Sequence, residues 1–433
     1  MFEKLTSKLR NQKETETETE TEEEEELSLL DHSSNRFSST THHQTRTGRR
    51  SPRSSRPTKT LIISLIISSI ILIIIIILFS IPERVLKNPS KDYQIDWKAS
   101  SPRPPATFKN IWGLKSPTVG SIEWKEMYPG PKPSGPVPQP QWISRYNSLV
   151  RERPNFLSYI SSIPQANLSR TNGLAVYPEK TVLGSDGICS FRRTSCLRGL
   201  KEDRGMGLQD VWDGVPGTWS VGFDDGPLPP SDRLYKFLDT QNQSATHFWI
   251  GSNVRDHHEL ALKAYKRNDH LAVHTWSHAH LTTLSDHEVL GELGWTIQVI
   301  YDLTGLIPLY YRPPYGDVDN RIRALAKYVF GLKTLMWNSD TSDWTLNQTY
   351  AIGDYIDPPM QNFGIQESLN QLNHHLKENP NQRPVEERKG MIILEHELSE
   401  ESVRVFEMSF QDVRKEGYVV CNVAQCLKAD WYQ

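Results

Sequence analysis

The sequence lacks an excess of charge of either sign. Its 433 residues carry 49 Lys+Arg against 52 Asp+Glu, which gives a formal net charge of −3 at pH 7. This balance excludes a protein that binds nucleic acid through a globally basic surface. Cysteine is also scarce, and the four residues present are too few for a small scaffold held together by many disulfides. The chain instead contains regions of contrasting composition, which we consider in turn.

Residues 1–60 are predicted to form a disordered cytoplasmic tail. Glu14–Glu26 alternates Glu with Thr and then consists of Glu alone, so the segment repels itself and has no apolar surface to bury. A Ser/Thr/Arg-rich stretch follows, with only basic charges between Arg46 and Lys59. An interaction tail is the functional alternative, but the composition favours a solvated segment without fixed structure.

Residues 61–81 are predicted to form a transmembrane signal-anchor helix. Leu61–Ile81 is uncharged and consists almost entirely of Ile and Leu, and a helix of that length spans roughly 30 Å, the thickness of the hydrocarbon core. The run is longer than the apolar region of a signal peptide and lacks a small-x-small cleavage site. The basic residues before it favour a cytoplasmic N-terminus. We therefore expect a single-pass type II membrane protein whose remaining chain is lumenal or extracellular.

Two features of the chain beyond this helix agree with that location. All three N-glycosylation sequons lie there, at Asn167, Asn242 and Asn347, although chance sequons are common. All four cysteines also lie there: Cys189, Cys196, Cys421 and Cys426. An oxidising compartment permits disulfides between them, and three pairings are possible. A pair joining the two clusters would clasp one domain at its ends.

The chain after the helix divides into two parts. Residues 82–205 are predicted to be a Pro-rich stalk and N-terminal extension, because closely spaced prolines favour extended, semi-rigid chain. Tryptophans at 97, 112, 124 and 142 suggest that parts of it dock on the following domain. In residues 206–433, short apolar runs alternate with helical patterns, which predicts an α/β fold with a parallel sheet or barrel. The expected strands are Trp219–Phe223 and Met391–Leu394, and the expected helices are Leu234–Leu238 and His258–Lys266.

Adjacent carboxylates follow the first predicted strand. The sequence Phe223–Pro227 reads Phe-Asp-Asp-Gly-Pro, with Asp224 and Asp225 at the strand end, where α/β folds collect functional groups. Neighbouring carboxylates after an apolar run are costly unless a cation or hydrogen bonds satisfy them. An ordinary turn is the structural alternative, since Asp-Gly-Pro is favourable turn chemistry.

A pair of histidines offers metal-ligand spacing. His274 and His278 stand at i and i+4, so on a helix they would share one face and one metal ion. Neutral imidazole suits zinc and neighbouring transition metals. Such pairs also arise by chance. His280 falls off the common face and is predicted to be structural or exposed.

Three further short motifs carry polar groups. Arg312-Pro-Pro-Tyr315 is a proline-locked loop that presents a guanidinium, and Asp340-Thr-Ser-Asp343-Trp344 follows another apolar run. Leu394-Glu-His396 places a histidine directly after a predicted strand. Taken singly, each has a structural explanation: a surface turn, an Asx turn and a structural histidine.

The five motifs together, in this order between Phe223 and Glu397, resemble the polysaccharide deacetylases of carbohydrate esterase family 4. The stretches His274–Leu284 and Tyr311–Ala324 resemble fungal chitin deacetylases in particular, and the resemblance covers roughly residues 210–430. It implies a distorted (β/α) barrel with the active site at the C-terminal ends of the strands. Two positions depart from the family pattern, Gly222 where Thr or Ser is frequent and Glu397 where Asp is common.

The resemblance also implies a role for each motif residue. Asp225, His274 and His278 would hold one divalent metal ion, with zinc expected first and cobalt, manganese or nickel as alternatives. Asp224 would be the general base, His396 the general acid and the Tyr315 backbone N–H an oxyanion donor. Arg312 would orient Asp224, and Asp343 would hold and tune His396. Trp344 and Leu394 would form the pocket for the acetyl methyl group.

The expected function is metal-dependent deacetylation of chitin or chitin oligosaccharides, giving chitosan and acetate. One alternative is another N- or O-acetylated polysaccharide. A second is a catalytically inactive glycan-binding wall protein, which would be expected to lack a base, a ligand or an acid. Because all three are present in the motifs, the enzyme is favoured.

Overall fold

The computed structural model describes residues 117–130, 134–169, 173–199, 206–346, 363–377 and 384–433. All of these belong to the second of two units into which the chain divides, Pro89–Gln433. The predicted tail (1–60), the predicted membrane helix (61–81), the first part of the Pro-rich stalk (82–116) and Asn347 lie outside the described residues. Within the described ranges, no helix is long and apolar enough to cross a membrane.

Helices and strands alternate through most of the described chain. The helices are α1 (Ile122–Glu126), α2 (Pro140–Glu152), α3 (Pro154–Ser161), α4 (Phe191–Thr194), α5 (Ser231–Thr240), α6 (Gly251–Asp256), α7 (His258–Arg267), α8 (Asp286–Thr304), α9 (Asn320–Phe330), α10 (Ile365–Lys377), α11 (Glu400–Lys415) and α12 (Val423–Leu427). The strands are β1 (Asn167–Leu168), β2 (Ala175–Val176), β3 (Asp210–Val211), β4 (Thr218–Asp224), β5 (Thr246–Trp249), β6 (His270–Val273), β7 (Tyr310–Tyr311), β8 (Lys333–Leu335), β9 (Ser339–Asp340), β10 (Met391–His396) and β11 (Val419–Asn422). All four elements predicted by residue range are confirmed, in α5, α7, β4 and β10.

Helix α8 shows how local sequence sets the element boundaries. Ser285 and Glu288 form a capping box at its start, so two backbone N–H groups without helical partners are satisfied. Gly305 ends the helix with a φ of 72°, a left-handed conformation that costs glycine little. Every residue from Val289 to Ile300 is buried, so α8 is a central packing element rather than a surface helix.

The main sheet is parallel and curled. Its strands run in the order β3-β8-β7-β6-β5-β4-β10-β9, and β11 pairs with the first half of β4 while β5 pairs with the second half. The two ends of this path, β3 and β9, are not paired with each other among the described residues. The predicted parallel (β/α) architecture is confirmed, and its distortion takes the form of an open barrel.

A small apolar cluster lies on one face of the sheet and packs against Arg312 of the polar site through Phe248. Its members come from six elements: Phe248, Ala272, Tyr310, Leu335, Ile392 and Val423. Side chains along a strand alternate between faces. Residues two or four positions apart therefore share a face. On this basis His274, Arg312 and His396 are expected on the same face as the cluster members Ala272, Tyr310 and Ile392, respectively. The functional side chains therefore lie on the face of this cluster, at or just beyond the strand ends.

The N-terminal extension contributes to the main core. Trp124 and Trp142 are buried in the same hydrophobic cluster as α8. Trp142 packs edge-to-face on Trp295 with ring centroids 5.3 Å apart, and Trp276 donates from Nε1 to the Gly130 carbonyl over 2.9 Å. Docking is thus confirmed for these two tryptophans of the extension, whereas Trp97 and Trp112 lie outside the described residues.

The cysteines pair within their own clusters. Cys189 bonds Cys196 and Cys421 bonds Cys426, with Cα atoms 5.1 and 5.5 Å apart. A bond joining the two clusters, considered from the sequence as a clasp, does not form, because each short loop already brings its two cysteines to disulfide distance. The two disulfides therefore fix local loops.

Candidate metal centre and active site

An aspartate and an arginine form a buried pair at the strand ends. Asp224 is the last residue of β4, and Arg312 follows β7. The Arg312 Nη1 donates to Asp224 Oδ1 over 2.7 Å. The guanidinium lies 4.1 Å from the centre of the Phe248 ring, a cation–π contact that anchors it without solvent. The structure thus brings Arg312 and Asp224 together, so the carboxylate has one orientation.

The two candidate histidine ligands lie on a loop and not on a helix, with which their i, i+4 spacing is also compatible. His274 follows β6 directly, and the chain then turns through two left-handed residues, Thr275 with φ 66° and His278 with φ 60°. This path directs both imidazoles towards Asp225. The Nε2 atoms of His274 and His278 are 3.4 and 3.2 Å from Asp225 Oδ1.

The tautomer of His274 suits metal binding. Its Nδ1–H donates to the Arg312 carbonyl over 2.7 Å, which leaves the Nε2 lone pair on the side of Asp225. Such a partner on the outer nitrogen fixes the tautomer and the ring orientation of a ligand histidine. Burial lowers the pKa of His278, which keeps that imidazole neutral as ligation requires.

The surroundings of Asp225 show that a cation would fit between these three side chains. Its Oδ1 is buried and accepts no hydrogen bond of acceptable geometry from the described residues, although two imidazole nitrogens face it. Burial acts to raise the pKa of Asp225, but His278 and His274 outweigh it and hold the pKa well below its usual value. One ligand atom from each of Asp225, His274 and His278 lies within 4.8 Å of the others. Two imidazoles and one carboxylate suit a transition metal and leave coordination positions open.

A second buried pair lies at the end of the neighbouring strand, where His396 of β10 is in register with Asp224 of β4. The His396 Nδ1–H donates to Asp343 Oδ1 over 2.7 Å, and the backbone N–H of His396 donates to the other carboxylate oxygen over 2.8 Å. Burial lowers the pKa of His396, but Asp343 more than compensates and raises it to about 10. At neutral pH this imidazole therefore carries a proton that it can donate.

Tyr315 sits beside the histidine loop in a strained conformation. It lies in the short turn Pro314–Gly316 with φ 58°. A non-glycine residue adopts such a conformation only where its surroundings impose it. The Tyr315 ring contacts the His278 ring edge-on, with ring centroids 4.5 Å apart, and stacks on the His280 ring, with centroids 4.0 Å apart. His280, predicted to be structural or exposed, is mostly buried and has this structural contact.

The two predicted pocket residues lie next to the His396–Asp343 pair. Leu394 is buried on β10, two residues before His396, and so shares its face of the strand. Trp344 is half-buried and follows Asp343 in the single turn Asp343–Thr345. The chain thus places each of them beside one member of the pair.

Glu292, on α8, was missed by the sequence reasoning. Its carboxylate accepts the backbone N–H groups of Trp276 and Ser277 over 2.8 and 2.9 Å and the Ser277 hydroxyl over 2.6 Å. It also accepts the Gly135 N–H from the extension over 2.7 Å. Glu292 thus fixes the histidine loop from behind. The sequence signal that could have identified Glu292 was a single acidic residue in an otherwise apolar helical stretch.

Glu397 was noted only as a departure from the family pattern. Its Oε1 accepts from His247 Nδ1 over 3.0 Å and from Trp249 Nε1 over 3.2 Å, and its backbone N–H donates to the Asp224 carbonyl over 3.1 Å. The carboxylate fills the space where Gly226 would carry a Cβ, so any larger residue there would clash. Glu397 therefore packs against the segment that carries Asp224 and Asp225 and helps to fix its backbone.

The fold and this constellation define a hydrolase with a candidate metal centre, and comparison with known proteins agrees. The family model described as "Polysaccharide deacetylase" matches residues 213–333. Chitin deacetylase 3 of Cryptococcus neoformans is 36% identical over 346 residues, covering 76% of this chain and 75% of that protein. A chitin deacetylase of Amylomyces rouxii is 32% identical over 240 residues, covering 54% and 53%. The structure of the chitin deacetylase from Colletotrichum lindemuthianum matches with a TM-score of 0.44 and 20% identity, over 52% of this chain and 96% of that one.

The chain belongs to the polysaccharide deacetylase family. It is accordingly a hydrolase that acts on carbon–nitrogen amide bonds.

Proposed function

We propose that this protein is a metal-dependent chitin deacetylase that hydrolyses the N-acetyl groups of N-acetylglucosamine residues, producing chitosan and acetate. The names of its fungal relatives support the substrate. The observation that carries the proposal is the placement of three groups of side chains together at the strand ends. They are the Asp225–His274–His278 ligand set, the Asp224–Arg312 pair and the Asp343–His396 pair.

Asp225, His274 and His278 would hold the cation, for which zinc is the first choice and cobalt, manganese or nickel are alternatives. When bound there, it supplies Lewis-acid chemistry for amide hydrolysis. Asp224 accepts the proton of the attacking water. The hydrogen bond from Arg312 keeps the Asp224 carboxylate aimed at that water.

The remaining residues bind the acetyl group, stabilise the tetrahedral intermediate as it forms and assist departure of the amine. The Tyr315 backbone N–H stabilises the developing oxyanion. His396 donates its proton to the leaving nitrogen, because an amine anion is too poor a leaving group, and Asp343 keeps that proton in place. Leu394 and Trp344 enclose the acetyl methyl group.

The proposal is tested with the full-length protein by measuring acetate release from N-acetylglucosamine oligomers and from acetylated xylan, with and without a chelator. We expect release from the chitin oligomers, its loss on chelation and its recovery with added zinc. Asp224→Asn should abolish it, whereas Asp256→Asn, a surface aspartate paired with its neighbour Arg255, should not. Release from the xylan alone would replace the amide substrate with an ester. Release from neither by the folded, zinc-supplemented protein would contradict the enzyme.

We further propose a type II membrane orientation with the catalytic domain outside the cytoplasm. Both disulfides and the exposed positions of Asn167 and Asn242 support it. In isolated membrane vesicles, the domain should resist added protease until detergent is added, and an endoglycosidase should shift its electrophoretic mobility. Removal of Asn167 and Asn242 together (Asn→Gln) should reduce that shift. Digestion of the domain in intact, cytoplasm-side-out vesicles would contradict the orientation.

A further inference from the structure

A short segment from the N-terminal extension reaches the active site. Its ends are joined by the Cys189–Cys196 disulfide, and we refer to residues 189–196 as the disulfide clip. It precedes both the predicted domain start at residue 206 and the region matched by the family model, 213–333. The clip therefore lies outside the part of the chain that the family model describes.

Hydrogen bonds from a buried arginine fix the clip to the barrel. Arg323, a buried residue of α9, donates to the Cys189 carbonyl over 2.6 Å and to the Cys196 carbonyl over 3.3 Å. The same guanidinium is held by Asp210 of β3, with Nε to Oδ1 at 2.7 Å. Because both ends of the clip are fixed by one buried charge pair, the residues between them have a defined position.

Four contacts connect the clip to the loop that contains Tyr315. Arg192 Nη1 donates to the Tyr315 carbonyl over 3.1 Å, and its guanidinium lies 5.3 Å from the centre of the Tyr315 ring. The Phe191 ring occupies the space next to Gly316, where a Cβ would lie 2.8 Å from it. The Phe191 backbone N–H donates to the Val318 carbonyl over 3.2 Å.

The Arg192 contact bears on catalysis because of the backbone conformation of Tyr315. This residue is strained at its φ of 58°, and such strain persists only where surrounding contacts over-determine it. His278 and His280 contact its ring, whereas Arg192 contacts both its ring and its carbonyl. Rotation of Tyr315 towards an ordinary conformation would redirect the backbone on both sides of its Cα.

We propose that Arg192 is a positioning residue for deacetylation, which holds Tyr315 in the conformation that aims its backbone N–H at the oxyanion. This inference rests on the proposed function, because it is there that Tyr315 has its role. Arg192 acts through Tyr315 and does not itself contact the reacting atoms.

The test compares three variants of the full-length protein in chitin-oligomer deacetylation. Loss of an oxyanion donor lowers kcat about 100- to 1000-fold, and a displaced donor should cost less. We expect Arg192→Met to lower kcat about 10-fold or more with KM changed less than about twofold. Arg192→Lys keeps a cationic donor and should recover most of the rate. Arg193→Met, an exposed position on the same helix, is the matched control and should behave as wild type. Equal kcat values for Arg192→Met and Arg193→Met would overturn the proposal, as would a raised KM at unchanged kcat.

A second measurement separates this inference from the proposed function. Hydrogen–deuterium exchange of the peptide spanning 312–318 requires no substrate. We expect Arg192→Met to accelerate its exchange and Arg193→Met to leave it unchanged. If wild-type protein released no acetate, the proposed function would fail while exchange still decided whether Arg192 holds the loop. Unchanged exchange in Arg192→Met would overturn the positioning role.

Discussion

At the residue scale, the chemistry depends on how each buried charge is compensated. His396 shows this most directly, because burial alone would lower its pKa and leave it neutral, whereas Asp343 raises that pKa to about 10. An acid that loses its proton only in alkaline solution stays ready to donate at neutral pH. The proposed catalytic role of His396 therefore depends on the charge of one neighbouring carboxylate.

Asp343→Asn should shift the alkaline limb of the kcat–pH profile to lower pH. The amide removes the negative charge that raises the pKa of His396, while the burial that lowers this pKa remains. Since the acid must be protonated, activity is then lost at a lower pH as pH rises. The profile is measured on chitin oligomers with zinc saturating. An alkaline limb that stays in place in Asp343→Asn would exclude His396 as the titrating acid.

At the scale of elements, the histidine pair shows what spacing alone cannot distinguish. An i, i+4 pair is compatible with a helix, but two left-handed residues turn this segment into a loop. The loop needs external support because it lacks helical hydrogen bonds, and the support comes from Glu292 on α8. One buried carboxylate thus connects the central helix, the ligand loop and the extension at Gly135.

Glu292→Gln should weaken metal binding and stability together. The substitution keeps the shape but replaces one acceptor oxygen with an amide group that faces N–H and O–H donors. Residues supporting metal ligands typically contribute about 10- to 100-fold in affinity, and an unsatisfied buried group costs about 1–3 kcal/mol. Zinc affinity is measured by competition with a chromogenic chelator, and stability by thermal unfolding of the metal-free protein.

Glu259→Gln, on the exposed part of α7, is the control for Glu292→Gln and should leave both quantities unchanged. Wild-type zinc affinity in Glu292→Gln would show that the loop holds its shape without this anchor.

At the scale of the whole molecule, the catalytic barrel and the N-terminal extension share one core. Trp142 packs on Trp295 and Phe330, and its ring lies against Gly294 on α8. The part of the extension that the structure describes is thus integral to the folded unit. This agrees with the docking that Trp124 and Trp142 predicted for parts of the Pro-rich stalk and N-terminal extension.

Trp142→Ala should strongly destabilise the protein without removing any group of the active site. Deleting a fully packed tryptophan costs about 3–5 kcal/mol, through lost burial and the cavity left behind. The midpoint of thermal unfolding should fall markedly, whereas Leu157→Ala, at a partly exposed position of α3, should change it little. Wild-type stability of Trp142→Ala would mean that the extension packs on the barrel without stabilising it.

The sequence by itself determined the parallel α/β class, the strands β4 and β10, and the residue types at the site. Strand periodicity and short motifs are local, so Asp224 and His396 could be assigned to strand ends, and Arg312 to a proline-locked loop, before their contacts were known. Only the tertiary structure decided which cysteines pair, how the histidine loop turns, and that Glu292, Glu397 and Arg192 contact the segments that carry the site. These depend on contacts between segments far apart in the chain, and the energy of such contacts depends on geometry that residue order does not specify.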